Sequence, residues 1–118
     1  VTMKIRIKGN SVRFRLAQNE VSQLVNEGET WSKCDFGTNS LVYGIKRSNQ
    51  EKMSYKFKGD RIVVSVPEQL LKNWDTDERV GFDDTEDGLY ILVEKDWQCL
   101  KPRENEDESN LYQHPTAK

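Results

Sequence analysis

The sequence predicts a mainly β fold with two short helices, in which two ββαββ repeats form one pseudo-twofold β-barrel. Three observations predict it. The segments "KIRIKGNSVRFRLAQNEVSQL" and "SYKFKGDRIVVSVPEQLLKNW" align without a gap at an offset of 50 residues, and a fixed internal period marks a repeated structural unit. Apolar and polar residues alternate strictly on both sides of Gly9-Asn10 and of Gly59-Asp60, the period of a half-buried strand. A unit of about 45 residues is too small to bury a core alone, whereas two units can bury their apolar faces against each other.

Each element follows from local chemistry. Residues 3–8 and 11–16 read as strands joined by a two-residue turn with glycine first, and 53–58 and 61–66 repeat the pattern. A helix follows the first hairpin. Val21, Leu24 and Val25 share one of its faces, and Gly28 supplies the stop. In the second copy Pro67 suits the first helical position, and Leu70, Leu71 and Trp74 form the apolar stripe. A second hairpin closes each copy, 30–36 with 39–47 and 78–83 with 87–95. Gly37-Thr38-Asn39 and the run Asp84 to Gly88 are read as the turns. Residues 1–103 are expected to be one domain, with repeat one over 3–47 and repeat two over 53–95. Residues 104–118 are expected to be a flexible acidic tail, since the composition there turns polar and charged.

The net charge of -2 hides an asymmetry: residues 1–66 carry a balance of +6 and residues 67–118 a balance of -8. Either the first half meets an anionic partner or one half neutralises the other. No apolar run approaches the roughly 20 residues of a membrane span. The start of the chain lacks the apolar stretch of a secretory signal. Cys34 and Cys99 suit no disulfide framework. A soluble, cytoplasmic protein with reduced thiols is expected, monomeric or weakly dimeric, with no membrane partner.

The run "KGNSVRFRLAQNEVSQL" resembles the first hairpin and helix of AbrB/MazE-like (SpoVT-AbrB) domains, which often read W-G-N-S and then V-R-I-P before a short helix. Gly9, Asn10, Ser11, Phe14, Arg15 and Leu16 carry the likeness. Gly59, Asp60, Ile62, Val64, Val66 and Pro67 carry it in the second copy. "DGLYILVEKD" resembles that family's closing strand. The opening "MKIRIKGNS" also resembles small bacterial proteins of uncharacterised function. The AbrB-like resemblance implies a swapped-hairpin barrel, here with both units supplied by one chain. It also implies a transcriptional regulator, often an antitoxin, that reads DNA with the basic residues of its first hairpin. The second copy departs from this pattern, with Ser65 in the place of Arg15 and Val63 in the place of Arg13. The first copy has Ala17 where the family often has proline.

The turn at Gly9-Asn10 sets Arg6 opposite Arg13 and Lys4 opposite Arg15, with Lys8 facing Ser11, all on the side away from the apolar pairs. Like charges directly opposite cost roughly 0.2–1 kcal/mol per pair. Lys4, Arg6, Lys8, Gly9, Asn10, Arg13 and Arg15 are therefore the candidate nucleic-acid or anion site. DNA, the chain's own acidic half and a separate acidic protein are the candidate partners; an antitoxin-like role would instead set the acidic tail against a basic protein. In the second hairpin the outward pairs are Lys58/Arg61, Lys56/Val63 and Ser54/Ser65, so the basic surface is expected to belong to copy one.

No enzyme is expected, and no metal or cofactor. The one histidine, His114, falls in the tail, away from any pocket a Ser-His-Asp or Cys-His arrangement needs. Cys34, Cys99 and His114 lack the close spacing of zinc ligand pairs; each cysteine reads as a buried structural thiol. "DDTED" (83–87) lacks the regular ligand spacing of a calcium loop. Trp31, Trp74 and Trp97 read as core.

Overall fold

The charged-apolar alternation at the start of the chain becomes a hairpin. β1 (Lys4–Lys8) and β2 (Ser11–Leu16) pair antiparallel, with Ile5 opposite Phe14 and Arg6 opposite Arg13. Gly9 turns the chain at φ 53°, a left-handed backbone that glycine adopts without strain. The computed structural model describes residues 3–97. The predicted tail 104–118, Cys99 and His114 lie outside the described residues.

Helix α1 (Gln18–Glu27) follows, burying Val21 and Leu24 and ending at Gly28 in the left-handed region. The chain continues through β3 (Glu29–Asp35), β4 (Ser40–Ser48), β5 (Ser54–Lys58) and β6 (Arg61–Pro67). Helix α2 (Glu68–Leu71), β7 (Gly81–Glu86) and β8 (Leu89–Lys95) complete it. The order of elements is ββαββ, twice. Two details differ from expectation. The second helix stops after one turn because Asn73 takes a φ of 64°; Trp74 reaches the core from the turn beyond it, its indole N–H held by the Arg79 carbonyl at 2.9 Å. The last hairpin turns in two residues, since Asp87 and Gly88 both have positive φ, 52° and 83°, as a type I′ turn requires. Asp84, Thr85 and Glu86 are therefore strand.

The eight strands form two four-stranded sheets, β1-β2-β8-β7 and β3-β4-β6-β5. Each sheet takes one hairpin from each half of the chain. Parallel ladders make the joins, with Phe14 beside Val93 in one sheet and Val64 beside Ile45 in the other. The expected barrel does not close: among the described residues no ladder links the two sheets. The physical reason lies in the edges. β1 and β5 are short edge strands carrying Lys4, Arg6 and Lys8, and Lys56 and Lys58, and charge along an edge resists a further strand.

The two sheets share one core. Phe14, Leu16, Leu24, Ile45, Val64, Val66, Trp74, Ile91 and Val93 are buried in a single cluster, and the rings of Phe14 and Tyr43 meet across the sheets at 6.4 Å between centroids. The first hairpin of each half overshoots this core, leaving Ile7 and Phe57 exposed near its tip at 65% and 66%. No helix among the described residues is long and apolar enough to cross a membrane.

The start of β1 is fastened at both polar groups of one residue. The buried Glu20 carboxylate accepts the Met3 N–H at 2.6 Å and the Ala17 N–H at 2.8 Å. The Tyr43 hydroxyl donates to the Met3 carbonyl at 2.9 Å. In the second copy Pro67 and Leu70 stand in the places of Ala17 and Glu20. Proline has no N–H to satisfy, so one of the two donors that Glu20 serves is absent there.

Candidate functional site

Register decides which side chains share the outer face of each sheet. In the first sheet one row runs Lys4, Arg15, Glu94, Gly81, and the next Arg6, Arg13, Leu92, Asp83. A third runs Lys8, Ser11, Tyr90, Thr85. All five basic residues singled out in the sequence are thus brought to one face. Lys4, Arg6, Arg13 and Arg15 line a groove of about 430 Å³ with Ile5.

The face is not uniformly cationic, because the second half of the chain supplies acids to it. Arg15 Nε donates to Glu94 Oε2 at 3.0 Å, and Lys4 Nζ lies 3.0 Å from Asp96 Oδ2. Among the described residues Arg6, Lys8 and Arg13 have no ion-pair partner. Asn10 is engaged: its side-chain amide donates to the Gly88 carbonyl, and its own carbonyl accepts the Tyr90 N–H at 3.1 Å. The turn at Gly9-Asn10 therefore docks against the turn at Asp87-Gly88. Tyr90, on the same face, donates to Asp83 at 2.8 Å. That hydrogen bond, together with desolvation and the Asp83 charge, raises the tyrosine hydroxyl above its ordinary pKa.

A second cationic face was not legible in the repeat. In the other sheet the outer rows run Lys33, Val42, Arg61, Lys58, then Trp31, Gly44, Val63, Lys56, and then Glu29, Lys46, Ser65, Ser54. Lys33 and Lys46 come from copy one and Lys56, Lys58 and Arg61 from copy two. The basic character is therefore not confined to the first hairpin. Among the described residues none of these five cations has an ion-pair partner. The signal was available in the period-two placement of Trp31 and Lys33 and of Gly44 and Lys46, but it has meaning only once the two hairpins lie side by side.

Trp31, on the edge strand β3, lies in the middle of the three rows. Its indole N–H donates to Glu29 Oε1 at 2.6 Å, and the Arg61 guanidinium carbon lies 5.1 Å from the ring centroid. The ring crosses Gly44 so closely that a Cβ there would come within 2.4 Å of it. Of the three tryptophans expected in the core, only Trp74 is buried; Trp31 is on the outer face and Trp97 is 55% exposed. Cys34, expected to be a buried thiol, is exposed. It sits near the end of edge strand β3, beyond the reach of the core.

At the end of the first sheet, Asp77 gathers Arg79 Nε at 2.7 Å and Lys95 Nζ at 3.6 Å. Desolvation pushes its carboxyl up, but the Arg79 hydrogen bonds and the charges of Arg79 and Lys95 outweigh it and hold the pKa below the ordinary value. Asp75, Asp77, Lys95, Asp96 and Trp97 line a second cavity of about 320 Å³.

No curated protein matches the sequence. The model of a family of unknown function (DUF7009) matches residues 3–116. The chain belongs to that family.

Proposed function

We propose that this family member is a non-enzymatic binding module whose basic first hairpin contacts the phosphates of DNA. The observation that carries the reading is the set Arg6, Lys8 and Arg13, exposed side by side with no carboxylate within ion-pair distance among the described residues. Arg6 directly opposite Arg13 is unfavourable in a free protein, and a phosphate between them turns repulsion into attraction. Lys4 and Arg15 contribute less, being already matched by Asp96 and Glu94. Gly9 and Asn10 set the hairpin's shape. One hairpin from each half in each sheet supports a reading of the chain as a duplicated, AbrB-like swapped-hairpin protein, acting in the cytoplasm.

The test is an anisotropy titration of labelled duplex DNA at about 50 mM and about 200 mM salt. Three phosphate contacts imply an affinity loss of roughly fortyfold across that range. Arg6→Gln with Arg13→Gln should weaken binding and lower the salt slope by about 2. Absence of duplex binding at about 50 mM salt overturns the reading.

The exposed Ile7 and Phe57 favour a second reading, a protein-interaction module of antitoxin-like or adaptor type. They stand at corresponding places on the two first hairpins, one in each sheet, and are 65% and 66% exposed. Capture of a protein partner that Ile7→Ser with Phe57→Ser abolishes, without duplex binding, would select it.

A further inference from the structure

The second sheet's outer face has two properties that the first lacks: more unmatched charge and an indole ring laid across a glycine of the neighbouring strand. Five cations, Lys33, Lys46, Lys56, Lys58 and Arg61, share it, and among the described residues none has an ion-pair partner. Glu29, the acid within their rows, accepts the Trp31 indole N–H. Like-signed side chains crowded on a sheet repel one another, so the face is set for a polyanion.

Trp31 narrows the class of polyanion. Three contacts fix the ring: the Glu29 hydrogen bond, the backbone of Gly44 against it and the Arg61 guanidinium over it, 5.1 Å from the centroid. A glycine in an interior strand weakens the sheet and often marks a close approach to the backbone; here its absent side chain makes room for the indole. Arg61 is exposed and free to leave the ring for a phosphate, and a held ring among cations without carboxylate partners is then the arrangement on which unpaired bases stack while basic side chains follow the backbone. A duplex hides its base faces and cannot use such a ring, and an acidic polypeptide has no base to stack.

We propose that the outer face of the β3-β4-β6-β5 sheet binds single-stranded nucleic acid, with a base stacked on Trp31 and Lys33, Lys46, Lys56, Lys58 and Arg61 along the sugar-phosphate chain. The site is separate from the first hairpin and does not depend on the duplex reading.

The experiment titrates the full chain against labelled oligothymidylate, with a duplex of the same length and polyglutamate as competitors at about 50 mM salt. Trp31→Ala should weaken oligothymidylate binding by about five- to hundredfold, and Trp31→Phe by less. Lys56→Glu with Lys58→Glu, at exposed positions where folding is not at stake, should cost about tenfold or more. Arg6→Gln with Arg13→Gln should leave oligothymidylate affinity within about twofold while weakening the duplex. Failure of oligothymidylate to bind, or indifference to both Trp31→Ala and Lys56→Glu/Lys58→Glu, overturns the proposal. Polyglutamate competing as well as the oligonucleotide also overturns it, in favour of an acidic protein partner. Loss of duplex binding alone defeats the first-hairpin reading and leaves this one standing.

Discussion

Arg15 on β2 donates to Glu94 on β8, 3.0 Å away, across the parallel ladder that joins the two halves of the chain. Part of the opposed charge of the halves is thus settled inside the molecule. Glu94→Gln keeps the shape and removes one negative charge from the face that holds Arg6 and Arg13. The expected outcome is a stability loss of no more than about 1 kcal/mol, measured by denaturant titration. Duplex DNA should bind a few-fold more tightly. Unchanged or weaker DNA binding by the variant would count against the first hairpin as the contact.

Glu20 is the counterpart within one copy. Replacing it with leucine, the residue of the second copy, leaves the Met3 and Ala17 N–H groups without their acceptor. The expected cost is about 2–4 kcal/mol, since each orphaned donor costs about 1–2. In an Ala17→Pro background one of those donors no longer exists. The same substitution should then cost about 1–2 kcal/mol less than in the native chain. Equal costs in the two backgrounds, read from chemical denaturation, would disprove the coupling.

Gly44→Ala places a Cβ within 2.4 Å of the Trp31 ring and 2.7 Å of the Thr30 carbonyl. The indole can swing, but the backbone oxygen cannot. The expected loss is about 1–3 kcal/mol, with a changed near-ultraviolet tryptophan signal. Native stability and an unaltered spectrum would show that the ring does not lie where we place it.

Tyr90 supplies a pH signature. Its hydroxyl is held protonated by Asp83, so the folded pKa lies above the ordinary value. The group therefore contributes stability that is fully present below about pH 10 and is lost as pH rises through the folded pKa. Ultraviolet difference titration of the native protein beside Asp83→Asn should show one tyrosine ionisation moving to lower pH in the variant. Coincident titration in both proteins would refute the contact.

The first hairpin was fully legible in the sequence because register there depends on one glycine turn and on alternation. Every predicted pair from Lys4/Arg15 to Lys8/Ser11 is formed. Prediction failed where tertiary position overrides pattern. Ile7, Phe57 and Cys34 follow the inward period yet lie beyond the core, because periodicity gives a side and not a depth. The run Asp84 to Gly88 reads as one long turn because acidic residues resemble loop, whereas Asp87-Gly88 alone makes the turn and β7 extends to Glu86. The second cationic face is not legible as one surface, because Lys33 and Lys46 join Lys56, Lys58 and Arg61 only where the β4-β6 ladder sets a hairpin from each half side by side.

The building of each sheet from one hairpin of each half also constrains how the molecule comes into being. Neither half owns a complete sheet, so the earlier-synthesised half must wait, its apolar strands uncovered, until the later half emerges. Only residues 49–53 separate β4 from β5, and two crowded chains could trade halves through that hinge and arrive at the same contacts. The protein's closest competitor for its own folding is therefore a second newborn copy of itself.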